Sequence, residues 1–455
     1  NLIDTSTNYT DGGSERLVGA AVRDLVRRGR LRREEVVVVS KIGYVQGSNL
    51  TLAQTREAAG QPFPEMVKYM EGCWHCIHPD FLDDQLGRSL DRLGLERLDL
   101  CLLHNPEYFF ADAKRRHAGS LTALRDEFYR RLREAFGFFE RQVAAGRLCW
   151  YGVSSNTAAA SAADPEATSL RRMLRAAREA GGPEPHFRVL QLPMNLFEAN
   201  AVFERGTNGA EAQETVLELA VRERIGVLVN RPLNAIVGDR MLRLADVQVE
   251  APEVALEAQL AVVAALEAEY RRAIAAALHV SPGSTPPAEF FRWAEQLRGL
   301  PARLQSLDHW QQIEGRTIGP TVTQVVRALD AGLQGPLADQ WRAWRDRYLP
   351  ELRRLLGALR HLAAKRAQTQ SRAVAAAVDP RLPEARRGES LSRKALWVLA
   401  STPAVSVVLN GMRRKAYVDD ALGILGWPPL TPVLPVYEAV RGLDRPRSER
   451  TMGST

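Results

Sequence analysis

The sequence predicts an α/β protein: a (β/α)8 TIM barrel with an all-α insertion after its seventh strand. Three observations carry this expectation. Seven short apolar runs read as buried strands, near 1–4, 36–41, 98–103, 149–153, 187–192, 226–231 and 404–409. Helical patterns separate most of them, for example over 14–28, 80–94, 129–145, 168–180 and 212–223, and strands alternating with helices build a parallel sheet. Polar and ionisable residues stand where the runs end, and a parallel barrel gathers the C-terminal ends of its strands on one face. Seven strands are one short of a closed barrel, and the chain opens inside a strand. The first β/α unit is therefore expected to be absent from this chain, which makes the run at 226–231 the barrel's seventh strand.

Taken in order, the first run ends at Asp4, and Tyr9 follows one turn later. The Gly12-Gly13 turn opens the next helix, where Ser14 and Glu15 read as structural. The run VVVVSK ends at Lys41, and LDLCLLHNPE places His104 at a third strand end. The segment CWHCIH (73–78) has CxxC spacing, but a structural zinc site needs a second ligand pair, so it reads as plain structure with no metal. It leads into the loop before the His104 strand, where Trp74 is a candidate pocket residue. Barrel sequence is expected over 1–240 and again over 386–455. Residues 241–385 are rich in Ala, Leu, Arg and Glu and read as a helical insertion, with helices at 252–279, 287–298, 319–333 and 336–376. Pro350 is expected to kink or break the last of these. The insertion would serve as a lid over the catalytic face or as a bundle for packing or oligomerisation.

Asp4, Tyr9, Lys41 and His104 belong together chemically. A phenol with a reference pKa near 10 is a poor acid at neutral pH, and a nearby ammonium favours the phenolate. An aspartate keeps the ammonium charged and in place, and a histidine can donate to a carbonyl oxygen or relay a proton. Such a set would protonate the alkoxide that forms when hydride adds to a carbonyl. Composition sets the outer limits. Hydrophobic content of 45% with 25% charged residues is that of a globular protein. A net charge of +7 would suit nucleic acid, but the arginines are spread over helices, so no nucleic-acid partner is expected. The long apolar helices carry regular Glu and Arg, so no membrane span is expected. Four cysteines in 455 residues suggest a reducing, cytoplasmic compartment. No GxGxxG follows any strand, which counts against a Rossmann domain.

Seven segments in order resemble the aldo-keto reductases. DTSTNYTDGGSERLVG is similar to their D-T-A-x-x-Y-G-x-x-x-S-E-x-x-L-G stretch, VVVVSK to their lysine strand and DLCLLHNPE to their histidine strand. RQVAAGRLCWYGVSSN, VLQLPMNLF, VLVNRPLNA and SVVLNGMRRKAYVDD resemble the family's later strands and its C-terminal cofactor loop. The resemblance covers 1–240 and about 390–425. It implies NADP(H) as cofactor and Asp4, Tyr9, Lys41 and His104 as the catalytic set. Ser154, Ser155 or Asn156, and Gln191 would hold the nicotinamide carboxamide. Asn230, Arg231, Pro232 and Leu233 stand where many relatives carry an aromatic residue that stacks on the nicotinamide. Gly411, Arg413, Asp419 and Asp420 would meet the adenosine end, and Arg413 favours NADPH over NADH because a guanidinium suits a phosphate. Tyr108, Phe109 and Phe110 would lie over a small-molecule carbonyl or alcohol, possibly a sugar, with packing in the core as the competing reading. Two rivals stand beside this reductase: a non-catalytic, cofactor-binding regulatory barrel whose insertion holds a partner, and an aldolase using Lys41 as a Schiff base.

Overall fold

Twelve strands stand out in the computed structural model, which describes residues 1–205, 213–238, 240–278, 285–304 and 306–444. They are β1 (Leu2–Asp4), β2 (Val37–Ile42), β3 (Tyr44–Val45), β4 (Val67–Met70), β5 (Cys73–His75), β6 (Leu98–His104), β7 (Leu148–Ser154), β8 (Phe187–Pro193), β9 (Gly226–Asn230), β10 (Asn234–Val237), β11 (Arg240–Arg243) and β12 (Val405–Val408). Seven of them form one parallel sheet in the order β1-β2-β6-β7-β8-β9-β12. These are the seven apolar runs of the sequence, and helices such as Gly13–Arg27, Pro79–Leu93 and Leu170–Gly181 connect them. Leu2 of β1 and Val407 of β12, at opposite ends of that order, pack against one cluster of Val39, Leu100, Leu102 and Leu228. The sheet is therefore curled upon itself into a nearly closed, TIM-like barrel filled by branched side chains.

Parallel pairing sets the level of each strand end. His104 pairs with Ser154, Ser154 with Gln191, and Pro193 with Asn230. Three polar residues are thereby brought to one height at the C-terminal end of the sheet. Close strand packing at Gly152 maintains this register, since a Cβ there would meet the Val189 carbonyl oxygen at 2.0 Å. Between β2 and β6 the chain adds a three-stranded antiparallel sheet, β3-β5-β4, that the sequence reading did not anticipate. Its strands of two to four residues are too short for alternation to show.

The chain divides into two compact units: residues 1–232 with 395–441, and 233–394 with the described residues from 442. The first contains the barrel. The second begins earlier than the expected insertion at 241, because the antiparallel hairpin β10–β11 belongs to it. It is otherwise helical, built on Leu256–Ala273 and a 44-residue helix, Gly335–Val378. Pro350 sits inside that helix without ending it. Trp341, Trp344 and Tyr348 before the proline and Leu352, Leu355 and Leu359 after it all bury in one core. Burial of that stripe outweighs the single hydrogen bond a proline removes. At the heart of this unit Glu267 is buried and accepts from Tyr348 Oη and the Trp293 amide, each at 2.8 Å. Among the described residues no helix is long and apolar enough to cross a membrane.

Candidate active site

Lys41 ends a strand whose neighbours are β1 and β6, so its side chain rises between Asp4 and His104. Its ammonium is fully buried, and Nζ donates to Asp4 Oδ2 at 2.5 Å, to the Thr5 carbonyl at 2.9 Å and to Tyr9 Oη at 3.4 Å. Buried charges require such partners. Asp4 is held from its other side, where Gln191 Nε2 donates to Oδ1 at 3.0 Å. Tyr9 lies on the loop after β1 and is 39% exposed, and its ring stands at an edge-on angle to His104, 6.0 Å between centroids. Ser14 and Glu15 serve the scaffold: Ser14 Oγ accepts from Thr5, and Glu15 binds Arg92 and Ser40.

His104 is buried, with Nδ1 3.1 Å from Ser6 Oγ. Burial, then the positive Lys41 and then His75 hold its imidazole well below the usual histidine range, so it is neutral. Two layers support it. His75 of β5 donates from Nε2 to the His104 carbonyl at 2.7 Å, and burial pulls the His75 imidazole down to about 4. Tyr44 of β3 stands edge-on to the His104 ring at 4.6 Å, accepts from Asn105 Nδ2 and donates to Tyr108 Oη, both at 2.8 Å. Ser6, Tyr44 and His75 were not singled out in the sequence. His75 was noted only as part of CWHCIH, and the short hairpin that delivers it carries no sequence signal of its own.

A second polar row lies beside Asp4. Ser154 Oγ donates to Gln191 Oε1 at 3.0 Å, and Asn230 Nδ2 donates to the same oxygen at 3.3 Å. Asn230 Oδ1 is buried and has no hydrogen-bond partner among the described residues. Ser155 turns away: one residue further along an extended strand, its side chain faces the opposite side, where Oγ lies 2.8 Å from Thr168 Oγ1. Asn156 is exposed, and its backbone N–H is bound by Glu107 at 2.7 Å. Arg231, at φ 55°, pairs with Glu198 at 2.8 Å. Pro232 is buried and closes the first unit, and Leu233 opens the second. Gly411 and Arg413 are exposed on the loop after β12, and Asp419 and Asp420 lie on the helix Lys415–Leu422 that follows. Leu409 donates to the Val229 carbonyl, which sets that loop beside the end of β9.

Tyr108 stacks on Tyr69, 4.3 Å between centroids, and joins the hydroxyl chain from Tyr44. Phe109 and Phe110 lie on the helix Tyr108–Arg115. Both are buried against Phe128, because the short helix that carries them packs its apolar face inward. Trp74 is half-buried on β5 under the Lys68 ammonium. All four cysteines are free. Burial pushes the Cys76 thiol up to about 12, and Cys73 accepts from Gln46, so the CxxC pair is embedded in the scaffold.

The sequence profile of the Aldo/keto reductase family matches residues 1–234. An NADH-specific methylglyoxal reductase of Escherichia coli (strain K12) is 31% identical over 107 residues, which is 23% of this chain and 26% of that protein. The chain thus spans about a quarter of that relative's length. Among solved structures, a glycerol dehydrogenase from Gluconobacter oxydans is 15% identical, with 98% of this chain and 83% of that one covered and a TM-score of 0.45. An aldo/keto reductase from Klebsiella pneumoniae in complex with NADP and acetate is 22% identical over 51% of this chain and 53% of that one, with a TM-score of 0.29. With the family profile spanning more than half of its residues, this chain belongs to the aldo/keto reductase family.

Proposed function

We propose that this chain is an NADPH-dependent oxidoreductase that interconverts a small aldehyde or ketone with its alcohol. One observation carries the reading: a single buried ammonium, Lys41 Nζ, touches both the Asp4 carboxylate and the Tyr9 hydroxyl. The side chains present fit a nicotinamide nucleotide. Ser154, Gln191 and the unpartnered carbonyl oxygen of Asn230 offer donors and an acceptor to an amide, and the exposed Arg413 offers a guanidinium to phosphate. The bound reduced nicotinamide would supply the hydride.

The chain's own residues manage the proton. As charge develops on the carbonyl oxygen, Tyr9 Oη donates its proton there. Lys41 donates to the phenolate oxygen left behind, and Asp4 with the Thr5 carbonyl fixes the ammonium so that it faces Tyr9. With Nδ1 accepting from Ser6 Oγ, the neutral His104 carries its one proton on Nε2 and would polarise the carbonyl from there, beside the Tyr9 ring. Oxidation of an alcohol uses the same groups in reverse.

Tyr9→Phe tests the reading. Turnover of an aldehyde should fall by about 10²–10⁴-fold, the usual contribution of a positioned acid. Nucleotide affinity, followed by fluorescence titration with both NADPH and NADH, should stay near wild type. The two nucleotides are compared because the Escherichia coli relative is named NADH-specific. Undiminished turnover in Tyr9→Phe rejects the acid assignment. Tight nucleotide binding without turnover of any carbonyl favours the regulatory barrel instead.

A further inference from the structure

β2 and β6 stay paired as far as Ile42 and Leu103, and at Gly43 the chain leaves that ladder for the antiparallel sheet β3-β5-β4. His104 lies one residue beyond the last pair. Its carbonyl oxygen faces Gly43, where an added Cβ would meet that oxygen and His75 Nε2, each at 2.6 Å. A buried carbonyl beyond the end of its ladder needs another donor. His75 supplies one. A carbonyl can only accept, so the single proton of the neutral His75 imidazole sits on Nε2 and is given to His104 at 2.7 Å. His75 is 1% exposed, and burying an imidazole for one hydrogen bond costs free energy that an apolar side chain would not.

The same sheet also meets the His104 ring. Tyr44 is the cross-strand partner of His75, and directly opposed residues carry their side chains on one face of a strand pair. Both reach one residue: His75 touches its carbonyl, and Tyr44 stands edge-on to its imidazole at 4.6 Å. Tyr44 is fixed at its far end, since Oη accepts from Asn105 Nδ2 and donates to Tyr108 Oη, each at 2.8 Å. None of β3, β4 and β5 pairs with a strand of the barrel sheet, so the purpose of this small sheet has to be sought in what it touches.

We propose that the cross-strand pair Tyr44 and His75 positions His104 for catalysis, holding its ring and its backbone at two points so that Nε2 keeps one direction toward the substrate carbonyl. Both are positioning residues, since they act through His104. This rests on the reductase reading given above. A displacement of about 1 Å at a reacting group can cost about 10²-fold in rate, so the pair should show in turnover rather than in nucleotide binding.

The test compares His75→Leu, His75→Gln and Tyr44→Leu in the full chain, with an aldehyde as substrate. Glutamine places an amide N–H near the position of Nε2, and leucine places none. In His75→Leu and Tyr44→Leu kcat should fall about 10–100-fold, with NADPH affinity within about threefold of wild type. His75→Gln should recover kcat to within about threefold of wild type. Undiminished kcat in both leucine variants overturns the proposal, and so does equal loss in His75→Leu and His75→Gln. Nitrogen NMR of protein labelled in its histidine rings reads His104 directly, without substrate or turnover, and its first arm needs no variant. One protonated and one bare ring nitrogen in wild type, averaged by exchange in Tyr44→Leu, supports the assignment. Averaged nitrogens in wild type overturn it, whether or not a leucine variant folds. A wild-type protein that reduces no carbonyl rejects the reductase reading and the catalytic purpose of the pair with it, whereas undiminished kcat in the leucine variants rejects the pair alone.

Discussion

His75 lies wholly inside the protein, with its Nε2 proton given to the His104 carbonyl. Its imidazole is held at about 4, against 6.5 for a free side chain, because burial penalises the cation. A group whose folded pKa is lowered contributes stability that is present above its unfolded pKa and lost as pH falls through the folded one. Thermal unfolding should therefore show a falling midpoint between about pH 6.5 and 4, and a two-and-a-half-unit shift sets the contribution at about 3 kcal/mol. His75→Gln should flatten that slope, and a pH dependence identical to wild type would remove His75 from the account. The Glu107 carboxyl, pushed up to about 7 by burial, acts in the opposite sense: its contribution is present below about 4.5 and lost as pH rises through 7. The four proposed catalytic residues were legible because three end an apolar run and the fourth follows one turn later. His75, Tyr44 and Glu107 were not, since burial is a product of tertiary packing that no run of letters records. Phe109 and Phe110 stayed open between mouth and core for the same reason, since an aromatic triplet looks alike whether it faces one or the other.

Among the elements, β7 approaches β8 closely at Gly152. Gly152 has no room for a methyl group between the Val189 carbonyl and Leu102, whose Cδ2 would lie 3.0 Å from an added Cβ. Gly152→Ala should destabilise the barrel by about 2–3 kcal/mol in urea unfolding, in line with overpacking a rigid contact. A midpoint equal to wild type would mean that β7 and β8 can separate at no cost. Strand positions were readable because a strand buried on both faces is a continuous apolar run of four or more residues. β3, β4, β5, β10 and β11 escaped because their two to four residues sit in mixed polar and apolar sequence that shows neither a run nor a period. The helix Leu121–Ala144 begins two turns before its expected start at 129. Its opening turns are polar, and the clearest signal there is the Ser120 hydroxyl accepting from the Ala123 amide.

At the scale of the described residues, one apolar cluster lines the barrel and another is aromatic, in which Tyr270, Phe291, Trp341, Trp344 and Tyr348 interlock. Each unit has its own buried apolar core, the condition for melting as a separate cooperative step. Leu359→Ala, which empties a fully buried site in the helical unit, should cost about 2–5 kcal/mol and shift one of two calorimetric transitions while leaving the other in place. Movement of both transitions together would show a single cooperative molecule. The large helical region was legible from composition, whereas the hairpin of ordinary strand-like residues that opens the second unit was not. Its position between β9 and β12 also bears on synthesis. β9 leaves the ribosome with one edge unpaired, and its partner strand follows roughly 170 residues later, a delay of about 10–30 s at usual elongation rates. During that interval the nascent barrel offers an open, apolar strand edge to other chains, which makes chaperone supply and expression temperature the first variables to control when this protein is produced.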